Sequence, residues 1–354
     1  MSVTAYCHAI GTAVPGHDVH AMYCDWATDL LDPREARIFA RMAARAGIDH
    51  RFSVLPPRPD GRPQIGDGGF YDKAPLPGTA ARMAIYAEAA PQLAAGAVAA
   101  CAAQVDLGGI THLVVASCTG FVAPGIDQIL ARRLGLSPSV ERLLIGFMGC
   151  YAAVTALRTA RHIVRSEPQA RVLVITVELC TLHLQATPEV GALMGQLQFG
   201  DGAAAALVTG EPGGLELEAG VSLALPESAE LIRWDITDRG FAMHLSGEVP
   251  GRLAEALGAA ETRAALSGDG GPIEAWAVHA GGRSILDAVE RAMALDAGAL
   301  ASSRAVLREK GNMSSATLMF VLARMMLEAP IERGLALAFG PGLAAEGLRF
   351  RSAA

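Results

Sequence analysis

Apolar positions run in short unbroken blocks along much of this chain. Thr111–Ser117, Arg171–Val177 and Ala203–Thr209 are each too short for a helix and too continuous for a half-exposed strand. They read as buried strands. Val3–Gly11 reads as a first strand and turn, and Leu215–Leu225 as a later strand. Between such blocks the spacing changes to that of helices. Asp32–Ala46 opens with Asp32 as an N-cap and Pro33 at the first helical position. Gly78–Val105 is Ala-rich and helical, and Leu55–Pro77 is a Pro/Gly/Asp-rich surface loop. Leu143 to Met148 is a further apolar run that stops at Gly149, and a helical face resumes at Val154, Leu157 and Ile163/Val164. Cys150 therefore stands where a strand or tight turn delivers the chain to a helix N-terminus.

The pattern repeats its grammar later. Ala275–His279 is a short strand ending on a histidine, followed by Gly281, Gly282 and a helix from Arg283 to Leu295. Glu309–Ala316 places Asn312 in a Gly-flanked turn, with Ser314 or Ser315 able to cap the next helix. A tight turn is expected at Asp238-Arg-Gly240. Gly210-Glu-Pro-Gly-Gly214 is the best boundary between two halves, 1–212 and 213–354.

Composition narrows the class. Length 354, an apolar fraction of 51% and a mean hydropathy of +0.32 are compatible with a large core and a buried oligomer face. Charges such as Arg82, Glu88 and Arg324 interrupt the most apolar helices, so no membrane span is expected. The N-terminus lacks a basic segment followed by an apolar one, and a cytoplasmic location follows by default. The six cysteines (7, 24, 101, 118, 150 and 180) show no CxxC pairing, so reduced thiols are expected rather than disulfides or a metal site. A net charge of −7 argues against general nucleic-acid binding but allows a local anion site.

Arg34, Arg37, Arg41 and Arg45 recur at spacings of three and four and form one basic stripe. Such a stripe is commonly a solvated helix face. The alternative is a rail for phosphates.

Cys150, His279 and Asn312 each stand at a turn that opens a helix. A helix start supplies free N–H groups and a positive dipole end, both of which favour a thiolate. A nucleophilic sulfur, a proton partner and an amide donor together suit acyl transfer through a thioester. Each residue alone has an ordinary structural reading: an inert buried thiol, a core histidine, a turn asparagine.

The motifs Cys118-Thr-Gly-Phe-Val-Ala-Pro-Gly-Ile-Asp127, Gly146-Phe-Met-Gly-Cys150, Val177-Glu-Leu-Cys-Thr-Leu-His183, Phe199-Gly-Asp-Gly-Ala203, His279-Ala-Gly-Gly282, Gly311-Asn-Met-Ser-Ser315 and Phe339-Gly-Pro-Gly342 occur in one order. Over nearly its whole length the chain resembles type III polyketide synthases, the chalcone/stilbene synthase family, and in particular bacterial alkylpyrone and alkylresorcinol synthases. The resemblance implies an α/β thiolase fold with αβαβα layers in two similar halves. It implies an acyltransferase that loads an acyl-CoA starter on Cys150 and extends it with malonyl-CoA, using His279 and Asn312 as oxyanion donors. CoA thioesters are then its only small-molecule partners, no further cofactor is needed, and a homodimer is expected.

By the same resemblance Phe199 and Met243 are gatekeepers, with methionine where plant relatives carry phenylalanine. Trp234 fills part of the cyclisation cavity, and Cys118, Thr119, Cys180, His183 and Ser314 line the pocket. Arg41 and Arg45 meet the CoA phosphates, although a further basic position of the plant enzymes is Ile38 here. Ala280 and Ala338 depart from the family's usual proline and glycine. Other readings are a tetrahydroxynaphthalene-type synthase using malonyl-CoA only, a ketoacyl-ACP synthase III-like enzyme, and a non-catalytic acyl-binding partner. The ketoacyl-ACP synthases usually carry His-Gln-Ala-Asn where this chain has His279-Ala-Gly-Gly.

Overall fold

In the computed structural model, residues 3–58, 64–66, 68–72 and 76–353 are described. The expected loop 55–77 lies partly outside them. The described strands are β1 (Ala5–Ala13), β2 (His17–Asp18), β3 (Phe52–Ser53), β4 (His112–Ser117), β5 (Glu141–Gly146), β6 (Val172–Leu179), β7 (Asp201–Thr209), β8 (Leu215–Ala224), β9 (Ile232–Thr237), β10 (Gly240–Leu245), β11 (Ala275–Val278), β12 (Gly334–Gly340) and β13 (Ala344–Ser352). The helices are α1 (His20–Asp29), α2 (Pro33–Ala43), α3 (Thr79–Ala102), α4 (Ile126–Arg133), α5 (Ala152–Ser166), α6 (Val190–Leu197), α7 (Val249–Gly258), α8 (Ala260–Ser267), α9 (Arg283–Met293), α10 (Ala301–Lys310) and α11 (Ser315–Met325).

Nine strands join in the order β11-β12-β13-β8-β1-β7-β6-β4-β5. The two ends of this sheet share a topology. On one side β4 and β6 are parallel, and β7 and β1 then add antiparallel. On the other, β11 and β12 are parallel, and β13 and β8 then add antiparallel. The sets meet where β1 pairs with β8 over Ala5–Leu217, Tyr6–Glu216 and Cys7–Leu215.

Alternate residues of the strands feed different cores, as a period of two requires. Val114, Ala116, Val172 and Val174 face inward with α5 and α11, and Ala336, Ala338 and Leu348 meet the same layer from the second half. The opposite face, Leu113, Val115, Leu173 and Ile175, packs under α3. Leu335 and Leu337 pack under α7 and α9. The two halves of the one sheet thus pack on the shared α5 and α11 layer, giving the helix–sheet–helix–sheet–helix order of the αβαβα thiolase-like arrangement.

The local readings hold in part. Asp32 accepts the N–H groups of Arg34 and Glu35, and Pro33 starts α2. That helix ends at Ala43, however, so Arg45 lies in the following turn and not on the stripe. The run at Leu143–Leu144 forms an edge strand in which both residues are exposed, at 44% and 39%. Ser314 precedes α11 without capping it through its side chain, and its φ 47°, ψ −126° is not the extended backbone of an N-cap.

Candidate active site

The chain leaves β5 through Phe147 (φ 57°) and Gly149 (φ 72°), turns once in a 3₁₀ geometry at Gly149–Tyr151 and enters α5. Gly149 has a second reason to lack a side chain. A Cβ there would lie 2.4 Å from Pro341 Cδ, in the Phe339–Gly342 loop. That loop presses on the nucleophile turn from the second half, and Gly340 similarly leaves room for Tyr151.

His279 directly follows β11, and its N–H donates to the Leu337 carbonyl at 2.8 Å. Its ring is buried, and neither ring nitrogen has a hydrogen-bond partner among the described residues. Asn312 is held at both ends of its side chain. Its Oδ1 accepts the Ser314 N–H at 2.8 Å, which turns Nδ2 toward the Gly281 carbonyl at 3.2 Å. Ser314 adopts φ 47°, ψ −126°, a conformation costly for a non-glycine residue. Its hydroxyl accepts from the Cys150 thiol at 3.8 Å. Cys150, His279 and Asn312 all line one cavity of about 620 Å³, whose walls also include Phe199 and Met243.

Electrostatics favours neutral groups in this enclosure. Burial pushes the Cys150 thiol up to about 12, with the Glu178 carboxylate adding to it and hydrogen bonds from Ser314 and Asn312 opposing. Burial likewise holds the His279 imidazole down to about 3. The helix-start argument for a ready thiolate is therefore outweighed by desolvation. A Cys150–His279 ion pair has to be sustained by the attraction of the two charges for each other.

Glu178 ends β6 at the floor of the site, fully buried. It accepts from the Cys118 N–H and the Thr119 hydroxyl, both at 2.9 Å, and from the Ser315 hydroxyl. Burial raises its carboxyl to about 7 despite those bonds. In the sequence this residue stands only as a member of the Val177–His183 motif, with no role attached. The available signal was a single charge closing an otherwise apolar strand.

A second, smaller cavity of about 180 Å³ adjoins the first, sharing Phe199 and Met243 with it. Cys180, His183 and Trp234 line this side pocket. His183 Nδ1 accepts the Phe241 N–H at 3.0 Å, so its Nε2–H donates to the Thr119 carbonyl at 2.7 Å. The ring stacks on Phe241 at 4.2 Å, and burial lowers its pKa to about 4. Trp234 Nε1 is buried without a partner among the described residues.

Cys118 and Thr119 line neither cavity. Cys118 Sγ instead accepts the Gly149 N–H at 3.0 Å and supports the nucleophile turn from beneath. Thr119 Oγ1 accepts the Leu179 N–H while donating to Glu178. Arg45 stands at the wall of the larger cavity together with Arg283, which donates to the Arg45 carbonyl at 3.1 Å. Arg41 is exposed on α2 and does not line the cavity. Arg283, which no sequence motif singles out, is recognisable only through this contact across 238 residues.

The family model for chalcone and stilbene synthases, N-terminal domain, matches residues 3–212, and that for the C-terminal domain matches 216–354. The alpha-pyrone synthesis polyketide synthase-like Pks18 of Mycobacterium tuberculosis is 35% identical over 253 residues, covering 67% of this chain and 64% of that protein. The match thus spans just under two thirds of Pks18. Bisdemethoxycurcumin synthase of Oryza sativa subsp. japonica is 34% identical over 339 residues, covering 88% and 82% of the two chains. Among solved structures, the C-terminal type III polyketide synthase domain of Steely1 from Dictyostelium superposes with a TM-score of 0.89 at 25% identity, covering 99% of this chain and 100% of that one. PKS-I from the brown alga Ectocarpus siliculosus gives 0.89 at 28%, covering 99% of each.

Proposed function

Because the chain belongs to the chalcone and stilbene synthase family of type III polyketide synthases, we propose that it condenses an acyl-CoA starter with malonyl-CoA and cyclises the product to an alkylpyrone or alkylresorcinol. The observation that carries this reading is that Cys150, His279 and Asn312, from three separate turns, line one cavity. The unpartnered His279 nitrogens add to it, since a buried donor without a partner is costly unless a ligand supplies one.

In the first step the Cys150 thiol gives its proton to His279 and the sulfur attacks the starter thioester carbon. The oxyanion of the tetrahedral intermediate collapses, CoA leaves as its thiol after taking that proton from His279, and the acyl group remains on Cys150. Malonyl-CoA then binds with its thioester oxygen toward His279 Nε2–H and Asn312 Nδ2–H. Loss of CO2 leaves the C–C bonding pair as an enolate, stabilised by those donors. The enolate carbon attacks the acyl-Cys150 carbonyl, the C–S bond breaks, and the lengthened chain leaves on CoA. One such donor is worth about 3–4 kcal/mol of barrier. The drawn steps use no cofactor beyond the CoA substrates.

Phe199 and Met243 stand as the gate between the two cavities, and the side pocket beside Cys180 holds the starter's alkyl part. CoA phosphates meet Arg45 at the mouth and Arg41 outside it on the exposed face of α2. Division into halves at 212/213 follows the same reading. A homodimer is supported by the apolar edge: Leu143 and Leu144 on the edge strand β5, together with Phe121 on its neighbouring loop, are exposed.

The test is an assay with [14C]malonyl-CoA, a fatty acyl-CoA and no acyl carrier protein. Labelled alkylpyrone or alkylresorcinol is expected from the wild type. Cys150→Ala should keep the fold and lose the acyl-enzyme in intact mass spectra. A starter adduct mapped to Cys118 or Cys180 would overturn the assignment. Best turnover with malonyl-CoA alone would favour a naphthalene-type synthase. A monomeric mass by light scattering at micromolar concentration would refute the dimer.

A further inference from the structure

Arg51 is 1% exposed and lies just before β3, outside both cavities. Among the described residues it has no ion-pair partner, and its Nη2 has no hydrogen-bond partner. Its guanidinium sits over the Tyr23 ring at 4.5 Å, and Nε donates to His20 Nδ1 at 3.1 Å. Asp18 and Asp201 act on the guanidinium only at longer range, and a buried cation with no carboxylate in direct contact is expensive, so its contacts call for a reason.

Those contacts converge on the two segments that carry the gate and the amide donor. Nη1 donates to the Phe199 carbonyl at 2.6 Å and to the Gln196 carbonyl at 3.3 Å. The aliphatic stem fills a hollow left by two glycines. A Cβ on Gly311, at φ 71°, would stand 2.8 Å from Arg51 Cγ, and one on Gly200 would stand 3.4 Å from Arg51 Cβ. Each glycine is the immediate neighbour of a residue assigned to the reaction, Asn312 or Phe199. The segments are themselves tied as a short parallel bridge. Asn312 N–H donates to the Gln198 carbonyl at 2.8 Å, and Gly200 N–H to the Asn312 carbonyl at 2.9 Å.

We propose that Arg51 is a positioning residue that keys the Phe199 gate to the Asn312 amide, so that the malonyl half of the reaction depends on it and starter loading does not. Movement of the Phe199 carbonyl passes to Asn312 through the two bridge bonds. Cys150 is carried by the β5–α5 turn and His279 is anchored through Leu337, so their backbones lie outside this bridge, and only the Asn312 side chain and the Ser314 hydroxyl reach the Cys150 sulfur from its side. Lysine could place one charge near the Phe199 carbonyl, but not the fork that reaches Gln196 and His20 as well. This inference rests on the proposed roles of Phe199 and Asn312.

The experiment separates the half-reactions in the full-length protein. Loading is read as the rate of hexanoyl transfer from hexanoyl-CoA to Cys150 by intact mass. The malonyl step is read as CO2 release from [14C]malonyl-CoA on the loaded enzyme. Arg51→Met keeps the stem and removes the donors. Misplacing a catalytic group by about 1 Å costs on the order of 10²-fold, and that loss is expected in kcat for CO2 release. Loading and the KM for malonyl-CoA should stay within about threefold of wild type, since the cavity walls that bind the substrate remain. Arg51→Lys should recover part of the CO2 release, because one charged donor remains. Equal losses in both half-reactions, or no loss in either, would overturn the proposal. If Arg51→Met does not fold, Arg51→Lys takes its place: a loss confined to CO2 release supports the proposal, and equal losses or none overturn it. A wild type that loads no starter and releases no CO2 would instead refute the functional reading.

Discussion

Replacing Cys180 by phenylalanine tests whether the side pocket measures the starter. The pocket holds about 180 Å³ and is bounded by Cys180, Trp234 and the Phe199/Met243 gate. A cavity of about 150 Å³ accepts one benzene, so this one accommodates about six carbons. Burying each methylene contributes about 0.8 kcal/mol, close to a fourfold gain in kcat/KM. From butanoyl-CoA upward the wild type should gain about fourfold per methylene for the carbons the pocket holds, and flatten thereafter. The Cys180→Phe ring would occupy most of that volume and erase the gradient. Malonyl-CoA decarboxylation should stay within about twofold, because Cys180 does not line the cavity containing His279 and Asn312. The assay is kcat/KM for a ladder of saturated acyl-CoA starters, with CO2 release measured in parallel. An unchanged gradient in the variant would place the alkyl chain elsewhere. A flat gradient in the wild type would dispose of the measuring pocket altogether.

Two further perturbations probe the floor of the site. Gly149→Ala combines a left-handed alanine, costing about 1–2 kcal/mol, with overpacking against Pro341 of about 1–3 kcal/mol. Calorimetry should show a Tm lower by roughly 3–7 °C, and iodoacetamide should label Cys150 at an altered rate; an unchanged Tm with normal labelling would show that the turn relaxes freely. Glu178 concerns pH, since its carboxyl is raised from 4.5 to about 7. The native state therefore keeps this proton to higher pH than the unfolded chain, so the associated stability is present below pH 4.5 and lost as pH rises through 7. Glu178→Gln should gain on the wild type by about 2–4 kcal/mol between pH 4.5 and 8 in urea melts, and parallel curves would contradict the assignment.

Local rules were legible in the chain because they act within one turn. The Asp32 cap, Pro33 at the start of α2, and the strand–Gly149–helix delivery of Cys150 each depend on neighbours a few residues away. The order of the motifs pointed to the family, and with it to the layered fold. What the sequence could not set was anything decided by partners far along the chain. Edge position, not composition, left Leu143 and Leu144 exposed, since an apolar run is the same string whether or not another strand lies beside it. Ser315 looked like a cap, but it is the first residue of α11 itself, and the folding of β6 against α11 brings Glu178 to accept its hydroxyl. The helix start promised an ionised Cys150, but enclosure by both halves made desolvation the larger effect. Arg51 and Phe199 are 148 residues apart, and only the packed structure brings a guanidinium to that carbonyl. Burial and long-range pairing are properties of the topology, and they determine which side chains in this site are charged, which are held in place, and which are left without a partner.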